Sequence, residues 1–194
     1  MQLILASGSP RRRELLATLV SDFIVISSDI EEIFNHQLPG IGEQVCDLAL
    51  QKALAVAQKQ SDDCLVIGAD TIVYLEGVVL GKPSDADDAE RMLAGLSGKS
   101  HQVITGVGLV RKQDGSLSSF QGFTVSQVRM RAISPQERAD YIASGEPMDK
   151  AGAYAIQGGA GRFVEKVEGS YENIVGLPLE LMRDLLTQAG WTLT

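Results

Sequence analysis

The sequence predicts an α/β fold built on a mixed sheet, and three observations point to it. Apolar runs of strand length recur at residues 3–6, 23–27, 64–75, 101–110 and 120–132. Helical spacing of apolar residues fills other stretches, most clearly residues 42–59. The two kinds of element follow one another irregularly rather than in strict alternation, which favours a mixed sheet over an all-parallel one.

Taken in order, Leu3-Ile4-Leu5-Ala6 reads as a short buried strand. Ser7-Gly8-Ser9 turns the chain into a helix, with Pro10 suited to its first position and Ser9 to its N-cap. Leu15, Leu16 and Leu19 form the buried side of that helix. A second strand over residues 23–27 ends in the acidic stretch Asp29-Ile30-Glu31-Glu32. Residues 42–59 are helical, with Val45, Leu48, Ala49, Ala53 and Val56 on one face. A long strand at 64–75 turns at Glu76-Gly77 into Val78-Val79-Leu80. Ser84, with Asp87 three residues later, marks a helix start, and Ser97-Gly98 ends that helix. Strands at 101–110 and 120–132 are joined around the Asp114-Gly115 turn. Ser134-Pro135-Gln136-Glu137 is a capping box opening a helix to Ala143. The Gly-rich segment 151–161 precedes a strand at 162–167, and Leu177-Pro178 leads into a closing helix at 179–189.

At 194 residues, 44% hydrophobic and 22% charged, the chain has the composition of a folded globular protein. Its length suits one substantial domain over residues 1–194, or one domain with two lobes around a cleft. Cys46 and Cys64 lack metal or redox spacing and read as small core residues. The apolar run Leu3-Ile4-Leu5-Ala6 precedes the arginines, whereas an export signal places positive charge first. No stretch approaches the roughly 18 apolar residues that span a bilayer. A cytoplasmic protein with no membrane partner is therefore expected. The net charge of −8 argues against nucleic acid as a partner, because that binding relies on neutralising many phosphates. Against this acidic background Arg11-Arg12-Arg13 suits a small anion.

Several residues break local rules, and such violations concentrate at functional sites. Arg11 and Arg12 occupy the first turn of a helix, where each positive side chain costs roughly 0.3–1 kcal/mol against the dipole. A bound phosphate reverses that penalty; a solvated basic surface is the competing reading. Asp70 sits inside the apolar strand Val66-Ile67-Gly68-Ala69-Asp70-Thr71-Ile72-Val73, where a carboxylate needs a partner. A metal ion or an attacking water would supply one, and so would an ordinary buried hydrogen bond. Lys52 interrupts the apolar stripe of its helix, either as a ligand or by snorkelling to solvent. Lys82, in Gly81-Lys82-Pro83, and the pair Glu31 and Glu32 read individually as surface residues. Together, Arg12, Lys52 and Lys82 with Glu32 and Asp70 are the residue types that hold a polyphosphate and its Mg²⁺. Neither a P-loop nor a kinase-type glycine loop is present.

The chain resembles the Maf family of nucleoside-triphosphate pyrophosphatases over essentially its whole length. The matching pieces are Leu5-Ala6-Ser7-Gly8-Ser9-Pro10-Arg11-Arg12, Asp29-Ile30-Glu31-Glu32, Gln51-Lys52-Ala53, Gly68-Ala69-Asp70-Thr71, Gly81-Lys82-Pro83 and Leu96-Ser97-Gly98. They continue with Asp149-Lys150-Ala151-Gly152-Ala153-Tyr154, Ile156-Gln157-Gly158 and Val175-Gly176-Leu177-Pro178. Their order and spacing together make the match specific.

The resemblance implies hydrolysis of a nucleoside triphosphate to the monophosphate and pyrophosphate, by water attacking the α-phosphorus. Asp70 matches the residue taken as general base, and Glu32 the acidic residue helping at the metal. Residues matching Ser7, Arg12, Lys52 and Lys82 line the triphosphate, with Mg²⁺ or Mn²⁺ held between Glu32, Asp70 and the phosphates. The resemblance leaves Asp70 both roles, base and metal ligand. Arg11, Thr71 and Gln157 match the subgroup acting on dTTP and UTP; the subgroup preferring 7-methyl-GTP carries tryptophan, glutamine and glutamate there. A neutral amide can both donate to and accept from a pyrimidine edge. Ala155 departs from the glycine common in related sequences, adding one methyl beside the site. The implied fold is an elongated mixed-sheet structure, similar to the inosine-triphosphatase type, with two lobes flanking a cleft, and the implied assembly is a homodimer. Two alternatives stand beside this expectation: a 7-methyl-GTP pyrophosphatase, and a non-catalytic nucleotide-binding regulator of septum formation or cell division.

Overall fold

Parallel and antiparallel pairing coexist in one seven-stranded sheet, as the irregular order of elements predicts. The computed structural model describes residues 1–193. The chain opens with β1 (Gln2–Leu5), α1 (Pro10–Ala17), β2 (Ile24–Val25) and α2 (Ile41–Ala57). It continues through β3 (Cys64–Leu75), β4 (Val78–Leu80), α3 (Ala86–Leu96), β5 (Ser100–Gln113), β6 (Ser116–Met130) and α4 (Pro135–Ala143). Three 3₁₀ segments follow, at Glu146–Asp149, Ala151–Ala153 and Gly159–Phe163, then β7 (Val164–Glu168), α5 (Tyr171–Val175) and α6 (Leu179–Gln188). The strand order is β2-β1-β3-β5-β6-β7, with β4 paired to β3.

β1 pairs in parallel with both β2 and β3, while β3–β4 and β6–β7 are antiparallel. The parallel part follows from the helices between those strands, since only a crossover connection can return the chain in the same direction. β3 is buried along most of its length, the pattern of a strand covered on both faces. Helix α2 lies close against the sheet because glycines remove the side chains in between. A Cβ at Gly68 would stand 2.0 Å from the Ala49 carbonyl oxygen, and one at Gly106 would stand 2.6 Å from that of Val45.

The chain divides into two compact units. The first comprises Met1–Asp70, Thr105–Thr124 and the chain from Gly176 on; the second comprises Thr71–Ile104 and Val125–Val175. The division crosses β3 between Asp70 and Thr71. The first unit has two apolar clusters, one around Leu3, Leu16, Leu65, Leu109 and Leu186, the other around Ile4, Val56 and Val66. The second unit is built around Leu93, Leu96, Val128, Met130, Tyr141 and Phe163. Cys46 and Cys64 are free and buried, as small core residues. No helix among the described residues is long and apolar enough to cross a membrane.

Local structure departs from the sequence reading in four places. Helix α3 is capped by Asp85 rather than Ser84: the Asp85 carboxylate accepts from the Asp88 N–H at 2.8 Å, and the Asp88 carboxylate accepts from the Ser84 N–H at 3.1 Å. A carboxylate at the N-cap also suits the helix dipole, which a hydroxyl does not exploit. The strand expected at 162–167 begins only at Val164, because residues 159–163 wind into a 3₁₀ turn closed by the Gly161 N–H on the Gly158 carbonyl. Strand β2 is limited to two residues. Helix α5 carries too few residues to show a period and is visible only in the fold.

Candidate active site

Two stretches that leave parallel strands, together with the middle of β3, supply the first group of residues. Ser7 follows β1, and Glu32 lies in the segment after β2. Asp70 lies three residues beyond Ile67, the β3 partner of Leu5 at the end of β1. Loops at the carboxyl ends of parallel strands are where α/β sheets bind ligands, because the strands end there and the helices begin.

The Asp70 side chain meets Lys52. Oδ1 accepts from Lys52 Nζ at 2.5 Å, and the same ammonium lies 2.7 Å from Glu32 Oε1. Asp70 is 7% exposed and Lys52 8%, so their pairing satisfies both charges where water does not reach freely. The close seating of α2 on β3 brings the lysine this near. Snorkelling, one of the two readings of Lys52, is thereby excluded: the ammonium turns inward to a carboxylate. Glu32 is exposed, as a loop glutamate should be, yet its carboxylate still reaches the Lys52 ammonium.

Arg12 is fixed from two sides. Its Nε donates to the Gly176 carbonyl at 2.9 Å, and Nη1 donates to Ser7 Oγ at 3.3 Å. Ser7 Oγ also accepts from the Ser9 N–H at 3.3 Å. Ser9 caps α1 as expected, its side chain accepting from the Arg12 N–H, and the first turn of the helix carries no acidic residue. Burial lowers the pKa of the Arg12 guanidinium; the negative charges of Asp70 and Glu32 oppose that shift, and Arg11 adds to it. The guanidinium stays charged. The Lys52–Asp70–Glu32 contacts and the Arg12–Ser7 contact are two sets within the first unit, and Arg12 feels the charges of Asp70 and Glu32. Sequence reasoning missed the Gly176 carbonyl. Val175-Gly176-Leu177-Pro178 stands out as a motif, but residue types alone do not say that a backbone oxygen is what matters.

Thr71, Lys82 and Gln157 belong to the second unit. Thr71 follows Asp70 directly in β3. Lys82 is exposed in the bend between β4 and α3, and Gln157 is exposed in a turn ahead of the third 3₁₀ segment. The two segments meet through the backbone, the Gly152 N–H donating to the Gly81 carbonyl at 2.9 Å. Gly152 also packs on Val73, two residues beyond Thr71; a Cβ there would stand 2.9 Å from a Val73 methyl. Arg11, in the first unit, is half-buried on the first turn of α1.

Among the described residues no group of three or more His, Cys, Asp or Glu side chains gathers as a metal cage. Two carboxylates, Asp70 and Glu32, do converge on one cationic position, which Lys52 Nζ takes. One or two carboxylates completed by substrate phosphates and water are the ordinary donor set of Mg²⁺, so these residues fit that ion.

The profile of the Maf-like protein family matches residues 2–189. A dTTP/UTP pyrophosphatase of Thermoanaerobacter sp. (strain X514) is 47% identical over 186 residues, covering 96% of this chain and 95% of that one. A dTTP/UTP pyrophosphatase of Hahella chejuensis is 51% identical over 180 residues, covering 92% and 87% of the two chains. A third, from Yersinia pestis, is 48% identical over 187 residues, covering 95% and 91%. A solved dITP/XTP pyrophosphatase structure from Mycobacterium abscessus superposes with a TM-score of 0.40 at 18% identity, over 67% of this chain and 74% of that one, a likeness too loose to bear on the fold.

Proposed function

The chain belongs to the Maf family, and from that premise we propose that it hydrolyses dTTP and UTP to the nucleoside monophosphate and pyrophosphate. The observation that carries the reading is the Asp70–Lys52–Glu32 group, in which a carboxylate within β3 and one from the loop after β2 meet a lysine of α2, with the Arg12–Ser7 pair of the same unit. The names of relatives close to half identical over nearly the whole chain support the substrate class. They lend no support to a 7-methyl-GTP pyrophosphatase or to a non-catalytic regulator.

In this reaction water attacks the α-phosphorus, the new P–O bond forms, and the bond to the bridging oxygen of the β-phosphate breaks. Asp70 takes the proton from the water, and pyrophosphate departs with the electron pair of the broken bond. Lys52 holds the Asp70 carboxylate in place and offers its charge to the phosphates. Arg12, anchored by its Nε on Gly176, presents a fixed guanidinium to the triphosphate, with Ser7 adding its hydroxyl. Lys82 supplies a further cation. Arg11, Thr71 and Gln157 select the base, where the Gln157 amide can donate to and accept from a pyrimidine edge. Glu32 and Asp70 would hold Mg²⁺ or Mn²⁺. Such an ion, when bound, neutralises charge developing on the phosphate oxygens.

The test is to incubate the purified protein with Mg²⁺ and dTTP or UTP and to assay both phosphate products. Pyrophosphate and the monophosphate are expected. Release of orthophosphate, or preferential cleavage of 7-methyl-GTP, would remove the assignment.

A further inference from the structure

A carboxylate outside the group described so far grips the turn that carries Gln157. The Gly158 N–H donates to the Ala155 carbonyl at 3.1 Å, which makes a four-residue turn with Ile156 and Gln157 at its centre. Immediately after it, the Gly159 N–H donates to both oxygens of Glu146, at 3.1 Å to Oε1 and 3.0 Å to Oε2. The Tyr141 hydroxyl donates to Glu146 Oε1 at 2.9 Å, and the Ala155 backbone hydrogen-bonds to that same hydroxyl. Both ends of the turn are therefore tied to one carboxylate, directly at Gly159 and through a phenol at Ala155. Tyr141 is a firm relay, buried in α4 with its ring edge-on to Phe163 at 5.7 Å between centroids. Burial and the adjoining Glu146 carboxylate push its pKa above the ordinary phenol value, so it remains a donor at working pH.

Gly158 completes the arrangement. A Cβ at that position would stand 1.9 Å from Glu146 Oε1. Its φ of −126° is open to any residue, so close approach of the carboxylate, not backbone conformation, is what requires glycine.

We propose that Glu146 is a positioning residue for base selection: by gripping the turn between Ala155 and Gly159 it sets where Gln157 presents its amide to the nucleobase. The proposal rests on the assignment of Gln157 to base choice made above. An exposed glutamine on a glycine-rich loop loses freedom when it engages a ligand, and a turn ordered beforehand reduces that cost. A pre-set amide also discriminates better, because a base with the wrong edge leaves donor and acceptor unpaired.

The experiment measures steady-state kinetics of the full chain with Mg²⁺ on dTTP, UTP and a purine triphosphate. Glu146→Ala should lower kcat/KM for dTTP and UTP about tenfold, the scale of one lost hydrogen bond of about 1.4 kcal/mol. The loss should fall on KM more than on kcat, and the preference over the purine should shrink with it. Glu146→Gln, whose carbonyl oxygen can still accept from Gly159 or Tyr141, should lose less. Gly158→Ala should reproduce the selectivity loss of Glu146→Ala, and combining the two should be no worse than Gly158→Ala alone. A pyrimidine-to-purine ratio at the wild-type value in both single variants would overturn the proposal, whether activity is unchanged or falls for every triphosphate alike. Hydrogen exchange at the Gly159 amide, read without substrate, tests the grip separately: faster exchange in Glu146→Ala supports it, and unchanged protection overturns it. A wild-type protein that releases no pyrophosphate from dTTP or UTP would instead sink the activity assignment, and the exchange result would still decide the grip.

Discussion

Asp70 Oδ1 lies 2.5 Å from Lys52 Nζ, so the carboxylate assigned as base is held by a buried cation from the neighbouring helix. The same ammonium reaches Glu32, at 2.7 Å. Removing either member of the Asp70–Lys52 pair should therefore have different consequences.

Asp70→Asn should lower kcat by about 10²–10⁴-fold, the usual contribution of a general base. Lys52 keeps Glu32 as a partner in that variant, so thermal unfolding should stay near wild type. Lys52→Met strands the Asp70 carboxylate, whose side chain is 10% exposed, and should cost on the order of 3–5 kcal/mol of stability. Urea denaturation checks both: a Lys52→Met midpoint equal to wild type would contradict the buried pairing.

Arg12→Lys should behave as a loss rather than a conservative change. Lysine has one ammonium and cannot donate to Gly176 and Ser7 in the fixed fork of a guanidinium. KM for dTTP should rise about tenfold, on the scale of one charge-assisted hydrogen bond. Wild-type KM in Arg12→Lys would mean that the anchoring on Gly176 has no bearing on phosphate binding.

Chelation should stop turnover without unfolding the chain. With EDTA present, pyrophosphate release from dTTP should fall to background, and added Mg²⁺ should restore it. Far-UV circular dichroism should not change, because Lys52 is itself a partner of both carboxylates. Full activity in EDTA would remove the metal from the reading.

His101 should make the fold acid-sensitive. Its ring is buried, its Nε2 lies 2.7 Å from the Tyr154 hydroxyl, and burial pulls its pKa from 6.5 down to about 4. Between those values the unfolded chain binds a proton that the folded chain does not. Stability is therefore fully present above pH 6.5 and lost progressively as the pH falls toward 4. The total at stake is about 3 kcal/mol. Thermal unfolding at pH 7.5 and pH 5 should show the loss in wild type and a smaller one in His101→Gln. Equal losses in the two proteins would assign the acid sensitivity elsewhere.

The elements and the candidate site were legible in the sequence to different depths. Ser9 as the cap of α1 and the Ser134–Glu137 capping box are visible because caps act over three residues, within reach of the local chain. Asp70 was conspicuous because one carboxylate in an apolar strand breaks a local rule. Lys52 was conspicuous too, but its direction was undecided: a stripe of apolar residues is equally interrupted by a lysine that leaves for solvent. Only the seating of α2 against Gly68 and Gly106 brings its ammonium to Asp70.

What the sequence determined alone was the kind of elements, their order, the mixed character of the sheet and the residue types gathered for phosphate chemistry. Each of these depends on periodicity, caps and composition, which act between near neighbours in the chain. The tertiary structure decided which groups meet. Lys52 with Asp70 across 18 positions, Arg12 with the Gly176 carbonyl across 164, and Glu146 with Gly159 across 13 are long-range contacts. In two of the three, the acceptor or donor is a backbone group that every residue type carries. Such a group leaves no mark in a sequence until packing brings a partner to it.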